Sequence, residues 1–102
     1  MINFNLYIPT QDNQGKALSN SLQPIYAEKM SIHFGGMTSL KAQGGFISKT
    51  GLYIQEDIFI LSSFGEMNIE NVNFLNNLAK ELKEVANQES VLITINNKPF
   101  FI

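Results

Sequence analysis

Four large apolar residues in a row, Ile58-Phe59-Ile60-Leu61, sit inside a longer strand-like stretch from Leu52 to Ser62. Successive strand residues point to opposite faces, so such a run needs cover on both sides of a sheet. It therefore belongs to an interior strand, and the rest of the chain has to supply the cover. With 102 residues there is room for one domain and one core, residues 1–102.

The remaining periodicities say what lies around that strand. Ile2, Phe4, Leu6 and Ile8 alternate with Asn3, Asn5 and Tyr7, a period-two strand with one buried face that Pro9 ends. After a polar loop to Ser21, the residues Leu22, Ile25, Tyr26 and Met30 recur at helical spacing. Ser21 suits the N-cap and Gly35-Gly36 the stop. Thr38, Leu40 and Ala42 alternate again, Gly44-Gly45 suggests a bulge, and Ser48 to Gly51 form the turn into the long strand. Asn68 caps a second helix whose buried stripe is Ile69, Val72, Leu75, Ala79, Leu82 and Ala86. Val91 to Ile95 is a further strand, Asn96-Asn97 a turn, and Pro99 to Ile102 a short edge strand.

The order strand, helix, strand, strand, helix, strand predicts an α+β fold, a ferredoxin-like βαββαβ sandwich with a four-stranded antiparallel sheet. Right-handed crossovers place both helices on one face of it. If Phe4 and Leu6 face the helices, the open face carries Asn5, Tyr7, Phe59, Leu61, Leu92 and Thr94. A one-residue slip in register would exchange the two sets. A face so apolar needs shielding. The expected cover is a second copy, giving a homodimer through the open face; the alternative is the tail Phe100-Phe101-Ile102 folded over it.

The chemistry-bearing residues are few. The one histidine, His33, lies just before Gly35, where a helix C-terminus favours partial positive charge; a structural role is the simpler reading. Glu56 and Asp57 are neighbours on a strand and so point to opposite faces, which excludes a carboxylate dyad. Cysteine is absent, and with a single histidine no metal site is expected. The glycines at 35, 36, 44 and 45 match no phosphate-binding spacing, and no serine has a nucleophile-elbow setting. No cofactor is expected. The net charge is −2, arginine is missing and the seven lysines are scattered, which argues against nucleic acid. No apolar run reaches membrane-spanning length, and the chain opens without a signal peptide. A soluble cytoplasmic protein is the default expectation, or an exported one if a leader has been removed.

Several short motifs occur in a suggestive order: Leu6-Tyr7-Ile8-Pro9, Phe34-Gly35-Gly36-Met37-Thr38, Gly44-Gly45-Phe46, Gly51 five residues before Glu56, and Gln88-Glu89-Ser90-Val91-Leu92. In these the chain resembles a family of small, mostly exported bacterial proteins known only as a domain of unknown function. Phe46 stands where that family usually has tryptophan. The resemblance implies no activity, since the family has none established.

The favoured reading is a non-enzymatic binding or interaction module, homodimeric, with a small polar ligand near Tyr7, Glu56, Phe59 and Thr94. Two alternatives stand beside it. One is a cofactor-independent enzyme of the dimeric α/β-barrel kind, using Tyr7, His33 or Glu56 as its acid-base group. The other is a mobile-element protein that sequesters a nucleotide signal.

Overall fold

A computed structural model describes all residues from Met1 to Ile102. The alternating N-terminal run forms β1 (Ile2–Pro9), and the first helical pattern forms α1 (Leu22–Phe34). Then follow the hairpin strands β2 (Thr38–Ile47) and β3 (Tyr53–Gly65), the helix α2 (Ile69–Val85), and the strands β4 (Leu92–Ile95) and β5 (Lys98–Phe101). The strands lie side by side in the order β2-β3-β1-β4-β5, every neighbouring pair antiparallel. The first four have the ferredoxin-like order. β5 extends that sheet at one edge.

Both helices pack on one face of the sheet. Phe4, Leu6 and Ile8 of β1, Leu61 of β3, and Ile93 and Ile95 of β4 point into the core. Leu22, Tyr26 and Met30 of α1 meet them there, with Leu75, Leu78, Ala79 and Leu82 of α2. Burying side chains of this size stabilises by about 1.5–3 kcal/mol each, so this layer holds the fold together. No helix is long and apolar enough to cross a membrane.

The helix ends follow local chemistry. Asn68 is extended and its side chain accepts a 2.8 Å hydrogen bond from the Asn71 N–H, a true N-cap. Gly35 takes the left-handed conformation (φ 87°) and returns its N–H to the Ser31 carbonyl. Ser21 does not cap α1 as expected: its backbone is already helical and its side chain makes no capping bond. The hydroxyl of Ser19 accepts the Ser21 N–H at 3.2 Å instead, so the turn begins two residues earlier.

Three other expectations need correction. Gly44-Gly45 is not a bulge: the β2–β3 ladder runs unbroken, Gly44 opposite Glu56 and Gly45 opposite Gln55. Gly45 is there for space, because a Cβ would collide with the Tyr53 ring that lies across it. The C-terminal aromatics do not fold over the open face, since Phe100 and Phe101 belong to β5. The Asn96-Asn97 turn that starts it has positive φ at both residues (53° and 66°), as a tight hairpin requires. Most consequential is the register of β3. Leu6 lies opposite Leu61 and Ile8 opposite Phe59, so Phe59 and Leu61 share the helix side with β1's core residues. The open face instead receives Glu56, Ile58 and Ile60 from this strand. A run that is apolar on both faces carries no alternation to reveal this.

Candidate functional site

The open face is concave where the loop-proximal ends of β1, β2 and β3 approach the start of β4 and the end of β5. Tyr7 points there because it alternates with the buried Leu6 and Ile8. Gly44, Phe46, Glu56 and Ile58 arrive from the hairpin, and Gln88, Ser90, Leu92 and Phe101 close the far side. The cleft holds about 340 Å³, within the range for small-molecule sites. A second lobe, about 420 Å³, continues past Phe46, Glu56, Gln88 and Ser90 to Gln11, Asp12, Asn13 and Glu89. Glu56 stands where the two lobes join.

Local structure places each wall. Gly44 has no side chain to fill the space in front of Ile58, whose methyls would sit 3.9–4.0 Å from a Cβ there. The loop after β1 is tied to the turn after α2 by the Asn13 N–H on the Asn87 carbonyl (3.2 Å) and by the Gln88 side chain on the Gln11 carbonyl (2.7 Å). The Thr10 hydroxyl donates to the Asp57 carbonyl, holding the same loop to β3. The cleft is therefore framed by short-range ties between three segments distant in sequence.

Its electrostatics are one-sided. Asp12, Glu56 and Glu89 line the two lobes, and neither lobe contains lysine or histidine. The two ion pairs of the chain, Lys29–Glu81 and Lys41–Asp57, leave Glu56 without a cation. Burial pushes its carboxyl above the ordinary range. A phosphate would meet carboxylates and find no cation here, which speaks against a nucleotide ligand. A neutral or cationic ligand with a flat apolar part fits both the charge and the walls.

Of the expected ligand residues, the structure brings Tyr7 and Glu56 together in this cleft. Thr94 lies on the same face but is engaged by Asn5, whose amide donates to its hydroxyl at 2.8 Å. Phe59 is on the opposite face, beside Ile8, Leu18 and Leu22, and packs against the core. Gln88, Phe46 and Ser90 were not among the expected site residues. Their signal was present: Gly44-Gly45-Phe46, Glu56 and Gln88-Glu89-Ser90 are short motifs far apart in the chain that meet in one place.

His33 is separated from Tyr7 and Glu56 by the whole sheet. Its ring stacks on Phe74 (centroids 3.8 Å apart, planes within 2°) and meets the edge of Phe34. Its Nε2 lies 2.8 Å from Asn71 Oδ1. The Asn71 amide nitrogen donates to the Glu66 carbonyl, so the Asn71 oxygen faces the ring and His33 Nε2 is the donor. This histidine joins α1 to α2. A wider hollow of about 610 Å³ lies beside it, lined by Lys29, Ile32, Phe74 and Glu81 among others. Its charged groups already serve one another: Glu81 accepts from Lys29 (2.9 Å) and from the Tyr26 hydroxyl (3.3 Å). The smaller cleft on the sheet, with Glu56 unpaired, is the better site.

No family model and no curated protein match the chain. Among solved structures it is similar to a phage S-adenosylmethionine lyase in complex with S-methyl-5′-thioadenosine. The TM-score is 0.74 at 14% identity, over 99% of this chain and 88% of that one. The same kind of enzyme in its apo state gives 0.72 at 15% identity, over 99% and 87%. At such identities the likeness is one of fold, and it agrees with the ferredoxin-like α+β reading. It also overturns the expectation of a non-enzymatic interaction module, because both neighbours are enzymes. The neighbours leave the cofactor-independent enzyme alternative standing, whereas a sequestered nucleotide finds no cation in the cleft for its phosphate.

Proposed function

We propose that this chain is a lyase acting on S-adenosylmethionine, which it holds in the Tyr7–Glu56 cleft and from which it releases S-methyl-5′-thioadenosine. The observation that carries the reading is the cleft's lining. On a fold shared with lyases of that substrate lies a small apolar and aromatic hollow with an unpaired carboxylate and no cation. S-adenosylmethionine brings a flat base, a sulfonium and an ammonium, and each has a complement there.

The bond accounting is simple. The bond between sulfur and the methionine γ-carbon breaks, its electron pair goes to sulfur, and the sulfonium becomes a neutral thioether. The substrate's own carboxylate oxygen closes on the γ-carbon and gives a lactone. Atoms and charge balance with no water, oxidant or proton acceptor. The sulfonium and carboxylate charges cancel each other in the step while the ammonium stays on the lactone, so apolar walls favour it. It asks for positioning more than for a general base, which suits a cleft without histidine or lysine. Glu56 provides a negative partner for the cationic substrate. A cation bound beside it would also reverse the rise in its pKa.

A second copy of the chain covers the rest of the open face. Leu40 and Phe64 sit on that face outside the cleft and are 55% and 60% exposed, an apolar surface suited to burial against another protein. Self-association through the face, at minimum as a homodimer, shields them.

The function is tested by incubating the purified chain with S-adenosylmethionine and separating products by liquid chromatography and mass spectrometry. The expected result is S-methyl-5′-thioadenosine and a lactone in equal amounts, and Glu56→Gln slower by about a hundredfold, as for loss of one preorganised electrostatic partner. No product above the spontaneous breakdown of the substrate would refute it.

A further inference from the structure

Gln88 lies where the two lobes of the cleft meet, beside Phe46, Glu56 and Ser90. Its backbone is locked by the end of α2: Asn87 before it is left-handed (φ 50°), and the Gln88 N–H returns to the Lys83 carbonyl at 3.0 Å. Its side chain is locked as well. The amide nitrogen donates to two backbone carbonyls, Gln11 at 2.7 Å and Ala86 at 3.1 Å. Only an NH₂ group can satisfy two carbonyls, so nitrogen and oxygen cannot be exchanged. Both donors are therefore spent on the protein, while Oε1 has no donor in the chain.

Resting on the proposed nucleoside site, we infer that Gln88 Oε1 is the specificity determinant for the base, accepting a hydrogen bond from the exocyclic amino group of adenine. The chemistry divides the polar groups of the cleft. A cationic ammonium or sulfonium is served best by the charged Glu56, whereas a neutral amine is matched by a neutral acceptor held in fixed orientation. An acceptor with no donor freedom of its own rejects a ligand that presents oxygen at that place. Sites built around such a group discriminate against analogues that leave it unpaired.

Calorimetric titration of the full chain tests this with three ligands: S-methyl-5′-thioadenosine, its inosine counterpart with a 6-oxo group, and the purine counterpart with no group at that carbon. None of them carries an ammonium, so the base alone is read. Loss of the amino group is expected to weaken binding roughly fivefold, the worth of one neutral hydrogen bond, and the 6-oxo ligand more. In Gln88→Met, with folding checked by circular dichroism, the three ligands should bind alike. Equal binding of all three by the wild-type chain would overturn the inference, as would a preference that persists in Gln88→Met. If the variant does not fold, the wild-type series alone decides. Failure of the wild type to bind any of the three would remove the nucleoside site itself, an outcome distinct from binding without discrimination.

Discussion

At the scale of single residues, Glu56 concentrates the functional argument and makes a prediction about stability as well. Its carboxyl is pushed up by burial, so the folded state favours the protonated form. The folded state thus holds more protons than the unfolded chain as pH rises through the carboxylate range, and stability falls across that window. Removing the charge removes the penalty. Glu56→Gln is therefore expected to melt at or above the wild-type temperature at neutral pH while losing turnover; a lowered melting temperature would make its role structural instead. Tyr26 behaves differently at the alkaline end. Burial first, then the Glu81 charge and its hydrogen bond, push its hydroxyl up to about 12. Stability that is complete below the ordinary tyrosine range should decline as pH rises through 10 toward 12. Tyr26→Phe should flatten that decline in pH-dependent thermal melts. Glu56 could be singled out in the sequence by its place five residues after Gly51 and because Asp57 had to face away from it. Gln88 could not, because an amide becomes informative only once its two carbonyl partners are known.

At the scale of elements, what could be read depended on whether a segment announced its own face. β1 and α2 did: Phe4, Leu6 and Ile8 alternate with polar residues, and of the expected stripe Leu75, Ala79, Leu82 and Ala86 are buried with Leu78 beside them, although Ile69 at the helix start is exposed. Asn68 likewise declared the start of α2. Asn68→Ala should cost about 1 kcal/mol, measured by urea unfolding, because the Asn71 N–H loses its acceptor. β3 did not announce its face. Ile58, Phe59, Ile60 and Leu61 look alike from either side, and only pairing with β1 decides that Leu61 is core and Ile58 lines the cleft. The consequence is a sharp difference within one strand. Leu61→Ala should destabilise by about 2–5 kcal/mol, whereas Ile58→Ala should cost far less and act mainly on ligand affinity. The glycine pair misled for a related reason. Gly44 and Gly45 suggested a bulge, yet one leaves room in the cleft and the other lies under Tyr53.

At the scale of the whole molecule, the two-layer fold leaves one sheet face to be explained, and two demands meet on it. The apolar residues Leu40 and Phe64 ask for a second protein surface, and the hollow around Glu56, with Phe46 and Phe101 in its walls, asks for a ligand. Light scattering at micromolar concentration should give at least twice the 11.5 kDa chain mass, with Phe64→Lys shifting it toward monomer. A monomeric wild type would leave the face without its cover. The layered fold was legible from periodicity because helix and strand patterns differ along the chain. The cleft was not, because it is assembled from segments as distant as Tyr7, Phe46, Glu56, Gln88 and Phe101, which only the sheet order brings together. The claim on which the rest depends is that this assembled hollow is the nucleoside site, and backbone-amide NMR during titration with S-methyl-5′-thioadenosine tests it most directly. Saturable shifts centred on Tyr7, Gly44, Phe46, Glu56, Gln88 and Leu92 are predicted, with Lys29, His33 and Phe74 undisturbed. Shifts centred on the helix layer around His33, or no saturable shifts at all, would contradict it.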